Sequence, residues 1–261
     1  MRERPITTLH VEPKLENATL VAAFEGWNDA GEAATNAVDY VANAIAAVPL
    51  AEIDGEPFLD LTVCRPCVRY SGGRLREIVW PATRWRYGSA GAECELVLAT
   101  GAEPHLRWRD YCDQFCGLVE RLNIRRVVLL GAFVADVVYS RPVSVTGFAS
   151  DERRLVELDV GPSEYEGPTG IVGVLADRIG SQGVEVLSFW AGLPHYIHAS
   201  PNPRGSLALV QKVRAGLSLA IDDEPLRDEA AAFEQRISEV VASDPELSEY
   251  VRQLKRREFA Q

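Results

Sequence analysis

Basic charge is scarce in this 261-residue chain. Its formal net charge is −11, and three lysines, Lys14, Lys212 and Lys255, stand beside 24 arginines. General nucleic-acid binding needs cationic side chains to neutralise phosphates, so this balance argues against that class. Long apolar runs are missing as well. None approaches the roughly 20 residues that span a bilayer, and residues 1–17 hold no apolar core of a signal peptide. The five cysteines of a chain without an export signal read as reduced thiols of a cytoplasmic protein. No Gly-x-Ser-x-Gly elbow and no P-loop is present. What remains is an ordinary globular composition, 47% hydrophobic and 25% charged, able to bury a large core in one domain or in one domain with an appendage.

The chain is organised around Phe24-Glu25-Gly26-Trp27-Asn28-Asp29-Ala30-Gly31. An apolar run, residues 18–24, precedes it and predicts a buried strand. Ala34, Ala37, Val38, Val41, Ile45 and Val48 follow at helical spacing and predict a helix over 33–48. Gly26 and Gly31 suit unusual backbone angles, and Asn28 or Asp29 suits the helix cap.

Three further continuous apolar strands are predicted at 95–100, 126–131 and 184–191, as expected where helices cover both faces of a sheet. Helices are expected after 105, with Trp108, Cys112, Phe115 and Val119 inward; at 151–158; after Gly170, with Ile171, Val174, Leu175 and Ile179 inward; and over 203–221. Residues 143–147 read as a short strand and 1–17 as an extended arm. The segment 51–87 reads as an antiparallel β-rich excursion at a sheet edge, with strands at 58–64, 67–70 and 77–81 and a hairpin turn at Ser71-Gly72-Gly73. Together these give an α/β/α core over 1–221. From 222 the composition turns charged and alanine-rich, and 222–261 reads as a helical appendage. Leu226, Ala230, Phe233, Ile237 and Val240 form a coiled-coil-like stripe, and Asp244-Pro245 restarts a second helix.

Cys64-Arg65-Pro66-Cys67 has redox spacing, but β-type residues flank it and place i and i+3 on opposite faces, so a structural role is expected. Cys112 and Cys116, one helical turn apart beside Phe115, are expected to be buried and inert. His195 and His198 lack an acidic partner at metal-site spacing; no metal and no cofactor is implied.

Polar residues gather where the long strands end: Glu25, Asn28 and Asp29; Glu103 and His105; Asp136 and Arg141; Pro194, His195 and Asn202. With parallel strands, these turns converge on the carboxyl edge of the sheet, where open α/β folds bind ligands. The helix start at Gly167-Pro168-Thr169-Gly170 adds N–H groups for an anion. Capped, salt-bridged turns would give the same pattern, so both readings stay open.

Phe24 to Gly31, Thr100-Gly101-Ala102-Glu103-Pro104, Tyr165-Glu166-Gly167-Pro168-Thr169-Gly170, and Pro194-His195-Tyr196 with Pro201-Asn202-Pro203 resemble the proteasome assembly chaperone family, of its second-subunit type, in a prokaryotic branch. The resemblance spans about residues 18–221. It implies a three-layer α/β/α core similar to the purine nucleoside phosphorylase fold and homo-oligomers, trimers among them. For the eukaryotic and archaeal relatives it implies proteasome assembly, hence proteasome α-subunits as partners. The final residues, Phe259-Ala260-Gln261, depart from the hydrophobic-tyrosine-any tail of the members that dock on α-rings. The expectation is a non-catalytic oligomeric scaffold. The alternative is an enzyme of phosphorylase or hydrolase type acting on a nucleoside-like or phosphate-bearing molecule. It would use Glu25 or Glu103 as base, His195 as acid and Arg141 for the anion, with Asn28, Asp29, Thr169, Gly170 and Asn202 around the ligand.

Overall fold

The computed structural model describes residues 5–71, 75–91 and 94–258. Met1–Arg4, Phe259–Gln261 and most of the expected Ser71-Gly72-Gly73 turn lie outside them.

Four parallel strands form the centre of a nine-stranded sheet: β2 (Thr19–Glu25), β7 (Glu95–Ala102), β8 (Arg126–Ala135) and β11 (Glu185–Pro194). One side is extended antiparallel by β6 (Ala82–Ser89), β3 (Val48–Asp54) and β1 (Thr7–Leu9). The other side carries β9 (Val145–Ala149), antiparallel to β11, and β10 (Gly161–Pro162). The hairpin β4 (Cys67–Ser71) and β5 (Leu75–Val79) forms a separate two-stranded sheet.

Apolar residues at every position let the central strands feed both faces. On β2, Leu20, Ala22 and Phe24 pack with α2 (Trp108–Arg121) and α4 (Ile171–Ser181). Val21 and Ala23 pack with α1 (Ala33–Ala44) and α5 (Pro203–Leu217). The expected three-layer α/β/α arrangement is present. A short α3 (Arg153–Glu157) leads into β10. Of the C-terminal helices, α6 (Glu224–Ser243) packs against α5, and α7 (Pro245–Glu258) packs against α6.

Several boundaries differ from the sequence reading. The helix expected to reach residue 48 ends at Ala44, because Ala46 takes a left-handed φ of 49° and the Ala47 amide bonds back to the Ala42 carbonyl. Residues 58–64 form turns rather than a strand; Asp60 accepts hydrogen bonds from the Thr62 amide and hydroxyl, a local alternative to sheet pairing. The excursion contributes two full sheet strands, β3 and β6, that were not separately expected. On α6, Leu226, Ala230 and Phe233 are buried as the stripe requires. Val240 is 53% exposed instead, and Val241 turns inward to meet α7. Asp244 caps α7 as expected, accepting the amides of Glu246 and Leu247. Among the described residues, no helix is long and apolar enough to cross a membrane.

Candidate functional site

The four central strands are parallel, so the turns after them meet at one edge. Gly26, at φ +108°, makes the bend after β2 that only glycine adopts without strain. The Glu103 amide then bonds to the Glu25 carbonyl, tying the turns after β2 and β7 together. Asn28 is fully buried. Its backbone carbonyl accepts the Ala132 amide, its Nδ2 donates to Glu103 Oε1 at 2.6 Å, and its Oδ1 has no partner among the described residues. Gly170 lies against that oxygen: a Cβ there would stand 2.0 Å from Asn28 Oδ1, so only glycine fits.

Three helices that start at this edge are closed by the chain's own acceptors. Asp29 Oδ1 accepts the amides of Ala34 at 2.6 Å and Thr35 at 3.3 Å, and Oδ2 accepts the Thr35 hydroxyl, which caps α1. Glu103 Oε1 accepts the Ile171 amide at 2.7 Å, capping α4. Asn202 Oδ1 accepts the Gly205 amide at 3.1 Å, capping α5, while its own amide bonds to the Gly31 carbonyl. The fourth helix, α2, carries Asp110 in its first turn. Burial raises the Asp29 carboxyl above its ordinary value despite these bonds, and exposed Glu25 adds to the rise.

The other candidate residues make their own contacts. Arg141 and Asn202 line a crevice of about 20 Å³ closed by Phe233 and Ile237 of α6, roughly the room one water occupies. His195 has its Nδ1 3.0 Å from Asp136 Oδ1 and its ring edge-on to Tyr196 and Tyr250. Tyr250 belongs to α7, so this aromatic group fastens the C-terminal helices to the turn after β8. Thr169 is exposed, its hydroxyl 3.4 Å from the Gly170 carbonyl. His105 Nδ1 accepts the Asp60 amide. The described contacts of the expected strand-end residues thus run from Glu25, Asn28, Asp29, Glu103 and Gly170, through the Asn202 amide on Gly31, to the crevice of Arg141, which Val137 and Pro194 also line beside Asp136 and His195. An open groove of about 760 Å³ lies between α1 and α6, bordered by Asp39, Tyr40, Asn43, Glu229 and Arg236.

Burial pushes Cys112 up to about 11 and raises Cys116 and Cys94, and burial together with Glu25 and Asp60 raises Cys64, so these four thiols are not activated. Among the described residues, no group of three His, Cys, Asp or Glu is placed to hold a metal ion.

Two features had no signal in the sequence. Trp27, which local pattern leaves undecided between core and surface, is 61% exposed. Asp223 is buried and joins α5 to α6, taking Arg214 at 2.5 Å, Arg227 at 2.9 Å and Gln211 at 3.3 Å.

Comparison with known proteins places this geometry. The PAC2 family model matches residues 23–241. A proteasome-assembly chaperone homologue from Mycobacterium tuberculosis is 41% identical, with 89% of this chain and 99% of that chain covered and a TM-score of 0.81. A PAC2 family protein from Streptomyces avermitilis is 38% identical over 90% and 99% of the two chains, with a TM-score of 0.82. The archaeal proteasome activator PbaB of Pyrococcus furiosus shares the fold at 15% identity, covering 90% of this chain and 97% of its own, with a TM-score of 0.72. No curated relative matches the sequence.

Proposed function

This chain belongs to the PAC2 family, and from that premise we propose that it is a non-catalytic oligomeric scaffold of the cytoplasm that assists assembly of a multisubunit complex, with proteasome α-subunits as the first partners to consider. One observation carries the reading. The helix starts at the carboxyl edge, which an enzyme of the phosphorylase type would offer to an anion, are occupied by Asp29, Glu103 and Asn202. These side chains hold elements together rather than reach for a ligand. His195, the acid such an enzyme would need, is engaged by Asp136 and by the rings of Tyr196 and Tyr250. The printed descriptions of the similar proteins, an assembly chaperone homologue among them, support the same choice.

Co-expression with recombinant proteasome α-subunits tests this reading. The yield of assembled α-rings should rise when the chain is present. An unchanged yield, together with a rise in melting temperature on adding millimolar inorganic phosphate or a nucleoside, would favour the enzyme instead, since a ligand that binds only the folded state stabilises it by mass action.

A further inference from the structure

Among the described residues, the hairpin β4–β5 pairs with no other strand. Its register pairs Val68 with Ile78 and Tyr70 with Arg76, so these four side chains share one face, and Trp80 stands at the next alternate position. That face is open: Val68 is 42%, Tyr70 81%, Ile78 46% and Trp80 40% exposed. A two-stranded hairpin is marginal in water unless something covers its apolar side. The segment is also locally basic in a chain whose net charge is −11, with Arg65, Arg69, Arg74 and Arg76 beside Glu77; Arg76 shares the apolar face, whereas Arg69 pairs with Glu77 on the other. It leaves the sheet between β3 and β6, where Asp54 pairs with Ala82 and, two residues on, Arg84 pairs with Thr100 near the end of β7. The hairpin therefore emerges beside the carboxyl edge.

That edge has the opposite chemistry. Trp27 and Tyr165 are 61% and 63% exposed. Their turns are held together because Asn28 abuts Gly170 and shares Glu103 with the start of α4. Glu25, Glu164 and Glu166 flank the two rings, are exposed, and form no ion pair with a described residue.

We infer that the hairpin of one copy docks on the carboxyl edge of a second copy, with Val68, Tyr70, Ile78 and Trp80 against Trp27 and Tyr165, and Arg76, on the same face of the hairpin, against Glu25, Glu164 and Glu166. The occupant is a second copy because both halves of the match, apolar-basic and apolar-acidic, are present on this one chain. Two different patches meet, so the contact is head-to-tail, and repetition closes a ring when the rotation permits. The inference rests on the reading of the chain as an oligomeric scaffold and names its self-contact.

Native mass spectrometry and light scattering of the full chain at micromolar concentration test it. Wild type should be oligomeric. Reversing the hairpin, Arg76→Glu, or the edge, Glu25→Lys with Glu164→Lys and Glu166→Lys, should weaken association at least about tenfold, since like charges suppress pairing. The melting temperature of the monomer should hold in both. Mixing the two variants should give hetero-oligomers, and the chain carrying both reversals should recover the wild-type mass. A monomeric wild type, an oligomer indifferent to both reversals, or no recovery in the doubly reversed chain would overturn the inference. Binding to α-subunits is scored on the same samples: a monomer that still binds them refutes this interface and leaves the scaffold reading standing, whereas an oligomer that ignores them does the reverse.

Discussion

Glu103 is the side chain on which the carboxyl edge depends most. One oxygen takes both the buried Asn28 amide and the first amide of α4. Glu103→Ala leaves a buried donor without an acceptor and removes a cap. The expected loss is about 2–3 kcal/mol, read by urea denaturation. Glu103→Gln keeps an acceptor and should lose clearly less, whereas equal losses would show that the hydrogen bonds are not what matters. Gly170→Ala forces a methyl group into Asn28 and should cost about 1–3 kcal/mol. Trp27 behaves oppositely. At 61% exposure, Trp27→Ala should leave stability within about 0.5 kcal/mol while weakening self-association. A large drop in melting temperature without a change in mass would place the ring in the fold rather than at a contact. The sequence pointed to these positions but left their roles divided. Polar residues at strand ends look alike whether they cap helices or bind ligands, and only the bonded partners separate the two.

Between elements, Asp223 is the joint. It sits at the start of α6 and takes two arginines and a glutamine from both sides, although nothing in Asp222-Asp223-Glu224-Pro225 distinguishes it from its acidic neighbours. Burial alone would raise its carboxyl. The bonds from Arg227, Arg214 and Gln211 outweigh burial and hold it below the ordinary 3.8. A depressed carboxyl contributes its stability above the unfolded value and loses it as pH falls through the folded value. The wild type should therefore lose stability more steeply than Asp223→Asn below pH 3.8, and at pH 7 the variant should be weaker by about 2 kcal/mol. Parallel acid limbs in the two proteins would contradict this. We also propose the boundary at 221/222. Truncation after Ile221 removes Leu226, which packs in the core under α1 and α5, so a lower melting temperature is expected with a single cooperative transition retained. Loss of cooperativity would make α6 part of the core domain. Element identity was legible wherever apolar residues ran continuously, as in β2 and β8, or recurred at helical spacing, as in α2. It failed where an alanine took a left-handed turn at residue 46, and where Asp60 turned the β-type residues around it away from the sheet.

For the molecule as a whole, the three layers follow from the central strands alone, because strands apolar at every position need cover on both faces. Which strand-end side chains bond to one another was not legible, because strand order and loop reach set it and no local pattern encodes either. The hairpin's isolation from the main sheet was equally hidden, since its residues have the same β-type character as β3 and β6. What the fold offers at its carboxyl edge is a set of helix caps with exposed aromatic rings and carboxylates beside them. The most direct test is native mass spectrometry of the purified chain, alone and mixed with recombinant proteasome α-subunits. The scaffold account predicts a homo-oligomer that forms a complex of defined stoichiometry with those subunits. A protein that ignores them and instead retains a small-molecule adduct would contradict it.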